Sequence, residues 1–585
     1  MSEPQHGGAI VAHHLESAGI SHIFTLCGGH ISPILVQSKQ RGIGIVDVRN
    51  EASAVFAADA QARLTGRPGV AVVTAGPGVT NSITAVKNAQ MAQSPVVLIG
   101  GATPTVLKNR GSLQDIDQIS LMESLTKWQA SVKTLAQLDD AMAHGLKVAA
   151  SGVPGPVFIE APIDILYPRE MVHEMYADQA GIKHLKGPVG TAARTALDLY
   201  LKRQEYQPSL RLHPDAAALP RGLGEWRAGG QARSVARKLA KAERPVLVLG
   251  SQVVVNRDIG QAAEVASSVA RLGIPTWTGG MARGLLGAEH PQLFRHKRSN
   301  ALAEADLVII AGFPFDFRLK YGRGFARNAE IVSINLSRDD LYLNRKPDIP
   351  VLDHPGDFLQ ALAEQAGPED WNDWFDTLTE REKVREAEID EQAAETGEGV
   401  NPLNFFRKLD GALQEKDILV VDGGDFVATS AYTLKPRRPL SWLDPGVFGT
   451  LGVGGGFTLG AGTARPDSQI WLIYGDGSCA YSLAEFDTYV RMGMAPIAVV
   501  GTDASWGQIA REQEAMLGDN IGTYLRHTDY HQVAEGYGGK GILVTQDDQI
   551  PEALHHAREL ASQGTPVCIN LMLASSDFRK GSISM

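Results

Sequence analysis

The sequence predicts an α/β protein of three doubly wound parallel-sheet domains, and three observations carry that prediction. The chain has 585 residues, well past the roughly 250–300 at which a single hydrophobic core stops growing. Its composition, 44% hydrophobic and 21% charged with 62 Gly and 30 Pro, is that of a globular chain rather than a fibrous or disordered one. Short apolar runs ending in Gly/Pro-rich turns alternate with helical stretches, which is how a parallel sheet covered on both faces reads.

In chain order, an amphipathic helix from Ala9 to Ala18 comes first, then a strand at His22–Leu26 and a glycine turn at Gly28-Gly29. Strands at 69–74 and 95–100 end in Gly/Pro turns, and the segment at 154–164 closes this first domain, drawn as 1–180. Residues 181–232 carry mixed charge and several prolines and read as a connecting segment with some helix. Alternation resumes at Arg244–Gly250, with strands at 306–311 and 331–335 and an end near Val351, giving a middle domain over 233–370. A charged helical linker at 371–398 precedes a third domain at 399–575, with strands at 418–421, 470–474 and 497–501. Residues 576–585 remain as a C-terminal tail.

The formal net charge of −11 is spread without a long block of either sign, which argues against nucleic acid or an anionic membrane as a partner. Three cysteines, Cys27, Cys479 and Cys568, with no CxxC pair support neither a disulfide framework nor a cysteine zinc site. No run of roughly 18 apolar residues or basic-then-apolar start appears, so a soluble cytoplasmic protein is expected.

The strongest chemical signal is Gly475-Asp476-Gly477-Ser478, directly after the strand at 470–474 and followed by a helical stretch and a strand that ends at Thr502-Asp503. Asp476 and Asp503 are 27 residues apart. In a parallel sheet the carboxyl ends of neighbouring strands lie side by side, so one strand–helix–strand passage brings the two carboxylates together. Hard oxygen ligands of this kind suit Mg²⁺ beside phosphate oxygens, and the flanking glycines let backbone N–H groups approach a diphosphate. Alone, the GDG string also fits a turn and Asp503 a helix N-cap, just as Glu51 near Arg49 also fits a surface ion pair.

Further strings complete a pattern: Asp47 to Ala52 with Glu51, Asp422-Gly423-Gly424-Asp425, Gly449-Thr450-Leu451-Gly452, Asn109 to Asp115 with Gln114, and Cys27 to Pro33 with His30. Together they resemble the thiamine diphosphate (ThDP)-dependent family of acetolactate synthase, oxalyl-CoA decarboxylase and 2-hydroxyacyl-CoA lyase, over nearly the whole chain. The resemblance implies a pyrimidine-binding, a middle and a diphosphate-binding domain, with ThDP and Mg²⁺ as cofactors. It implies that Asp476 and Asp503 bind the metal by side chains and Ser505 by its carbonyl. The diphosphate would lie on Gly475, Gly477, Ser478, Gly424 and Asp425. Gly449 would accept from the aminopyrimidine, and Leu451 would wedge the two rings into a V. Glu51 would be the carboxyl that shifts a proton at the aminopyrimidine ring, and Gln114 would face the thiazolium. At position 503 the family more often has Asn, so Asp503 adds a negative charge.

Within that family, the strings GGHISP, 85–95 and 578–584 resemble 2-hydroxyacyl-CoA lyases, and 280–286 echoes oxalyl-CoA decarboxylase. This implies a CoA thioester substrate, cleaved between C1 and C2 to formyl-CoA and an aldehyde or ketone, or condensed in reverse. The alternatives are an acetolactate synthase-type carboligase or 2-oxo acid decarboxylase, and oxalyl-CoA decarboxylation. His30 is the candidate for proton transfer at the substrate hydroxyl, positioned by Gln114, with Gln508 and Glu512 in reserve. Arg283, Arg323 and the cluster 435–438 are candidates for CoA phosphates, with the tail as a lid over them. The middle domain is a candidate site for non-catalytic ADP or FAD, with Pro314 where flavin-binding relatives carry Arg. A homodimer or homotetramer with active sites between subunits is implied.

Overall fold

The computed structural model describes residues 6–179, 181–204, 228–576 and 578–579. Three parallel sheets organise them. The first is made of β1 (His22–Leu26), β2 (Gly44–Asp47), β3 (Gly69–Val73), β4 (Val96–Ala102), β5 (Trp128–Ser131) and β6 (Val157–Pro162), in the order β2-β1-β3-β4-β6-β5. The second has β7 (Pro245–Leu249), β8 (Thr276–Thr278), β9 (Leu307–Ala311), β10 (Glu330–Asn335) and β11 (Ile349–Leu352), in the order β11-β10-β9-β7-β8. The third has β12 (Ile418–Val421), β13 (Trp442–Leu443), β14 (Ile470–Gly475), β15 (Ile497–Thr502), β16 (Lys540–Val544) and β17 (Val567–Met572), in the order β13-β12-β14-β15-β17-β16. The first sheet belongs to one compact unit, and the second and third to another.

The central strands are apolar from end to end because helices cover both of their faces. Gly69–Val73, Val96–Ala102 and Leu307–Ala311 are buried at every position, and each fully buried Val or Ile side chain contributes roughly 1.5–3 kcal/mol. Strand order reverses inside each sheet, and ligands of such folds bind at the carboxyl ends of the strands beside that reversal.

The connecting segment contains the helix Gly187–Gln204, while residues 205–227 lie outside the described residues. Gln204 Nε2 donates to Asp164 Oδ2 at 2.9 Å, an oxygen that also accepts from Tyr176 OH at 2.9 Å and Thr105 Oγ1 at 2.6 Å. The charged stretch before the third sheet is the helix Asn372–Ala393, with Trp374, Leu378 and Ile389 on its buried side. The indoles of Trp371 and Trp374 donate to the carbonyls of Ala242 and Pro245 at 2.8 and 3.1 Å, fastening this helix to the start of β7. No described helix is long and apolar enough to cross a membrane. Cys27 is exposed on the loop after β1, whereas Cys479 and Cys568 are buried. Burial pushes both of those thiols up, Cys568 to about 12.

Candidate cofactor and substrate site

β14 and β15 pair in parallel with Gly475 opposite Gly501, so Asp476 and Asp503 each lie at the carboxyl end of adjacent strands. Asp476 is buried, with Oδ1 accepting from Gly477 N at 2.7 Å and Oδ2 from Ala504 N at 2.8 Å. Asp503 Oδ1 accepts from Ser505 N at 3.1 Å. Burial raises the Asp476 carboxyl to about 6. Partial burial, then the charge of Asp476, raises Asp503 to about 7; the side chain is open to solvent in the single chain, which moderates that rise without reversing it. The loop beyond is held in place, because Leu525 N donates to Ala504 O at 2.7 Å and Ser505 bridges to Tyr524. Ala504 takes a left-handed conformation, φ +53°. At Gly477 a Cβ would lie 2.4 Å from the Trp506 ring, so only glycine allows the GDG turn to approach that loop. Ser478 Oγ lies 3.1 Å from Gly475 N and closes the turn.

Two neighbouring acids with amide donors and, among the described residues, no ion pair are what a divalent cation would complete. Their donor set fits Mg²⁺, and the glycine backbone beside them fits a diphosphate.

Beside this corner, Leu451 packs on the end of β12, where a Cβ at Gly423 would fall 2.2 Å from Leu451 Cδ2. Gly449 and Gly452 flank it with φ of +65° and +89°. Asp422, fully buried at the end of β12, accepts from Gly452 N at 2.9 Å and from Gly454 N at 2.7 Å, one oxygen each. Burial drives its carboxyl up to about 7 while these amides pull it back. Gly424 has φ +110°. Asp425 opens the helix Asp425–Thr433, and its oxygens take two 3.0 Å hydrogen bonds from Arg511 with Arg579 Nε at 3.6 Å. Gln508 lies in the first turn of the helix Gly507–Leu517.

In the first unit, Glu51, His30 and Gln114 come from the carboxyl edge of the first sheet. Glu51 begins the helix Glu51–Thr65 beyond β2 and is 5% exposed. Asn81 Nδ2 donates to its Oε2 at 3.0 Å. His30 Nδ1 is 3.2 Å from Thr74 Oγ1, and burial lowers its pKa. Gln114, at φ +64°, packs against Gly76, where a Cβ would sit 3.0 Å from its own.

A cavity of about 540 Å³ lies in the second unit and is lined by Arg283, Arg295, Lys297, Arg298, Arg385 and Lys435 among others. Arg283 Nη1 donates to Ala431 O at 2.8 Å, and its guanidinium stacks 5.0 Å over the Trp442 ring. Burial lowers Arg283 to about 10 and also lowers Arg295 and Arg298. Arg298 Nη2 donates to Arg318 O at 2.7 Å, and Arg295 Nη1 lies 3.7 Å from Glu386 Oε1. The wall is rich in guanidinium groups, while two of its cations are paired, Arg385 with Glu388 at 2.6 Å and Lys435 with Glu289 at 3.0 Å. Beside them, His296 Nε2 lies 2.8 Å from Glu386 and 4.0 Å from Glu382, a trio of metal-ligand type. Arg295 N, His296 N and Arg407 Nη2 already donate to those carboxylates at 3.1, 3.0 and 2.6 Å, so the trio is an ion-pair network bracing the wall. Tyr432, also in the lining, meets Phe578 edge-on at 5.8 Å and Arg579 at 5.3 Å; the tail at 577 and 580–585 lies outside the described residues.

Sequence reasoning missed Asn81, Asp422 as the anchor of the glycine turn, and Arg295 and Arg298. Asn81 had a signal, since Gly76-Pro77-Gly78 is a strand-end turn of the kind that carries functional groups.

Acids at adjacent strand ends, glycine turns that admit a diphosphate and a packed leucine beside them define an enzyme of the three-domain, diphosphate-cofactor type. The chain belongs to the thiamine pyrophosphate enzyme family and is a ThDP-dependent enzyme. Its residues 5–121 match the family's N-terminal TPP binding domain, 232–362 its central domain and 422–571 its C-terminal TPP binding domain. It is 45% identical over 602 residues to 2-hydroxyacyl-CoA lyase 2 of Danio rerio, covering 100% of this chain and 94% of that protein. It is 44% identical over 594 residues to 2-hydroxyacyl-CoA lyase 2 of Homo sapiens, covering 99% and 92%. The acetolactate synthase large subunit IlvG of Mycobacterium tuberculosis is 30% identical over 583 residues, covering 98% and 96%.

Proposed function

We propose that the protein is a 2-hydroxyacyl-CoA lyase that cleaves the C1–C2 bond to give formyl-CoA and an aldehyde or ketone, and runs the reverse condensation. The observation that carries this reading is the arginine-walled cavity. A small 2-oxo acid needs one cationic contact, whereas the phosphates of CoA need several. The relatives named 2-hydroxyacyl-CoA lyase 2, 42–45% identical over nearly the full chain, support it.

Bound ThDP supplies a nucleophilic carbon and an electron sink. Asp476 and Asp503 would hold Mg²⁺ with their side chains and Ser505 with its carbonyl, while Gly475, Gly477, Ser478, Gly424 and Asp425 line the diphosphate. Leu451 would pack against the rings, and the Gly449 carbonyl would accept from the aminopyrimidine. Glu51 exchanges a proton with the aminopyrimidine ring nitrogen. His30 takes the proton of the substrate 2-hydroxyl, since burial keeps its ring neutral and able to accept. Gln114 positions this proton transfer, with Gln508 as a further contact. Arg283 and its neighbours hold the CoA phosphates.

The active form is a cytoplasmic homodimer or homotetramer in which Glu51 of one subunit serves the aspartate pair of another. In the middle domain, Gln252 reaches from the end of β7 to Asn335 Oδ1 and Leu336 N, both at 2.9 Å, and Pro314 stands in the following loop of β9. ADP, not FAD, is the nucleotide proposed there.

The test is mass spectrometry of products from a panel of CoA thioesters with ThDP and Mg²⁺ added. Formyl-CoA together with an aldehyde or ketone is expected from 2-hydroxyacyl thioesters. Consumption of pyruvate with no thioester cleavage would replace this reading by the carboligase one.

A further inference from the structure

One side chain outside the roles assigned above touches the carboxyl group of Glu51. Asn81 ends the short helix Pro77–Asn81, and its amide donates to Glu51 Oε2 at 3.0 Å. A carboxylate only accepts, so the nitrogen is the amide atom that faces it. Among the described residues Oε1 takes no hydrogen bond; it lies beside Gly78, where a Cβ would come 3.6 Å from it. The two oxygens of Glu51 are therefore unequal.

The turn that carries Asn81 is fixed from behind. Gly76, at φ +64°, donates its N–H to Gln118 Oε1 at 2.8 Å. Gln118 Nε2 in turn donates to Gly101 O and to Glu160 Oε2, both at 3.0 Å. Glu160 is buried, and its Oε1 accepts from Lys108 Nζ and Ser131 Oγ, both at 2.6 Å. Ser82 Oγ donates to Gly78 O at 2.8 Å and closes the far end. Such a chain has each polar group partnered, which makes it rigid. The same turn begins at Thr74, whose hydroxyl is 3.2 Å from His30 Nδ1. Glu51 after β2 and His30 after β1 are thus both fastened to the single turn after β3.

We infer that Asn81 is a positioning residue for proton exchange by Glu51: its amide holds Oε2 as an acceptor and fixes the carboxyl rotamer, so that the proton moves through Oε1. The inference rests on Glu51 being the group that exchanges a proton with the aminopyrimidine ring. The experiment measures hydrogen–deuterium exchange at C2 of ThDP in the full chain loaded with ThDP and Mg²⁺, without thioester, alongside ThDP affinity. Asn81→Asp keeps the shape of the side chain but turns the donor into an acceptor, Asn81→Ala removes it, and Asn81→Gln keeps a donor on a longer arm. Exchange is expected to slow by roughly 10- to 100-fold in the Asp and Ala variants, the worth of a hydrogen bond to a charged group, with ThDP affinity unchanged and partial recovery in the Gln variant. Wild-type exchange in the Asp and Ala variants would overturn the inference. So would loss of ThDP binding in both, which would assign Asn81 to the fold instead. Wild-type exchange in Glu51→Gln is a separate result, one that removes the role of Glu51 itself.

Discussion

Asp476, Asp503 and Asp422 crowd negative charge into one end of the third sheet, and the neighbours that offset it differ. Asp422 has two amide donors, one on each oxygen, and so needs no cation. Asp476 and Asp503 face each other, and their carboxyls rise to about 6 and about 7 from an ordinary 3.8. A carboxyl raised on folding contributes stability that is fully present below its unfolded value and lost as pH rises through the folded one. Without metal, these two groups are therefore expected to cost the protein thermal stability as pH rises from about 4 to about 7. Mg²⁺ should restore most at the alkaline end, since the ligands must be deprotonated, and its affinity should fall as pH drops through 7 and 6. Thermal melts with EDTA and with Mg²⁺ across that range check the sign; a metal-free melting temperature that rises with pH would contradict it. Asp503→Asn should raise the metal-free melting temperature near pH 8 and weaken Mg²⁺ by roughly tenfold or more, because ligand charge sets affinity.

Among elements, the contact between the end of β12 and the turn before the helix Val453–Ala464 is the tightest constraint on the pocket. Gly423→Ala places a carbon 2.2 Å from Leu451 Cδ2, so either the leucine or the strand end must move. The clash falls on the tip of a half-buried side chain, so the stability loss should stay within about 1 kcal/mol, while ThDP affinity should fall more because Leu451 is the proposed wedge. Urea titration and cofactor titration of the variant measure the two losses. The strands that were legible in the sequence, such as Ile470–Gly475 and Ile497–Thr502, are central and apolar throughout. Three of those that escaped notice are edge strands: Trp128–Ser131 is half-buried along its length, Lys540–Val544 is buried at Val544 alone, and β13 has two residues; another, Val567–Met572, is a buried, largely apolar run between β15 and β16 that was also passed over. An edge needs no continuous apolar run, so hydrophobic pattern does not reveal it. The site divides in the same way. The GDG turn and Asp503 are legible because one strand–helix–strand passage joins them, whereas Asn81 meets Glu51, and Arg283 meets Trp442, only through tertiary folding.

For the whole molecule, the proposal that active sites form between subunits has a direct consequence for mixed oligomers. Glu51→Gln and Asp476→Asn chains, each inactive alone, should regain activity when co-expressed, because a hybrid dimer contains one site with both wild-type residues. Statistical mixing predicts about a quarter of the wild-type specific activity. Restoration to that level is the expected assay result; none at all would mean that each subunit carries its own complete site. The purified protein is also expected to be colourless, and a flavin absorbance band would reverse the assignment of ADP to the middle domain.

The unequal burial of the three thiols offers something practical. Cys479 and Cys568 are sealed inside the third sheet's surroundings while Cys27 stands open on the loop that leads to His30. A maleimide dye added to the native chain would therefore find one address, and it would report on movement of that loop when a thioester arrives.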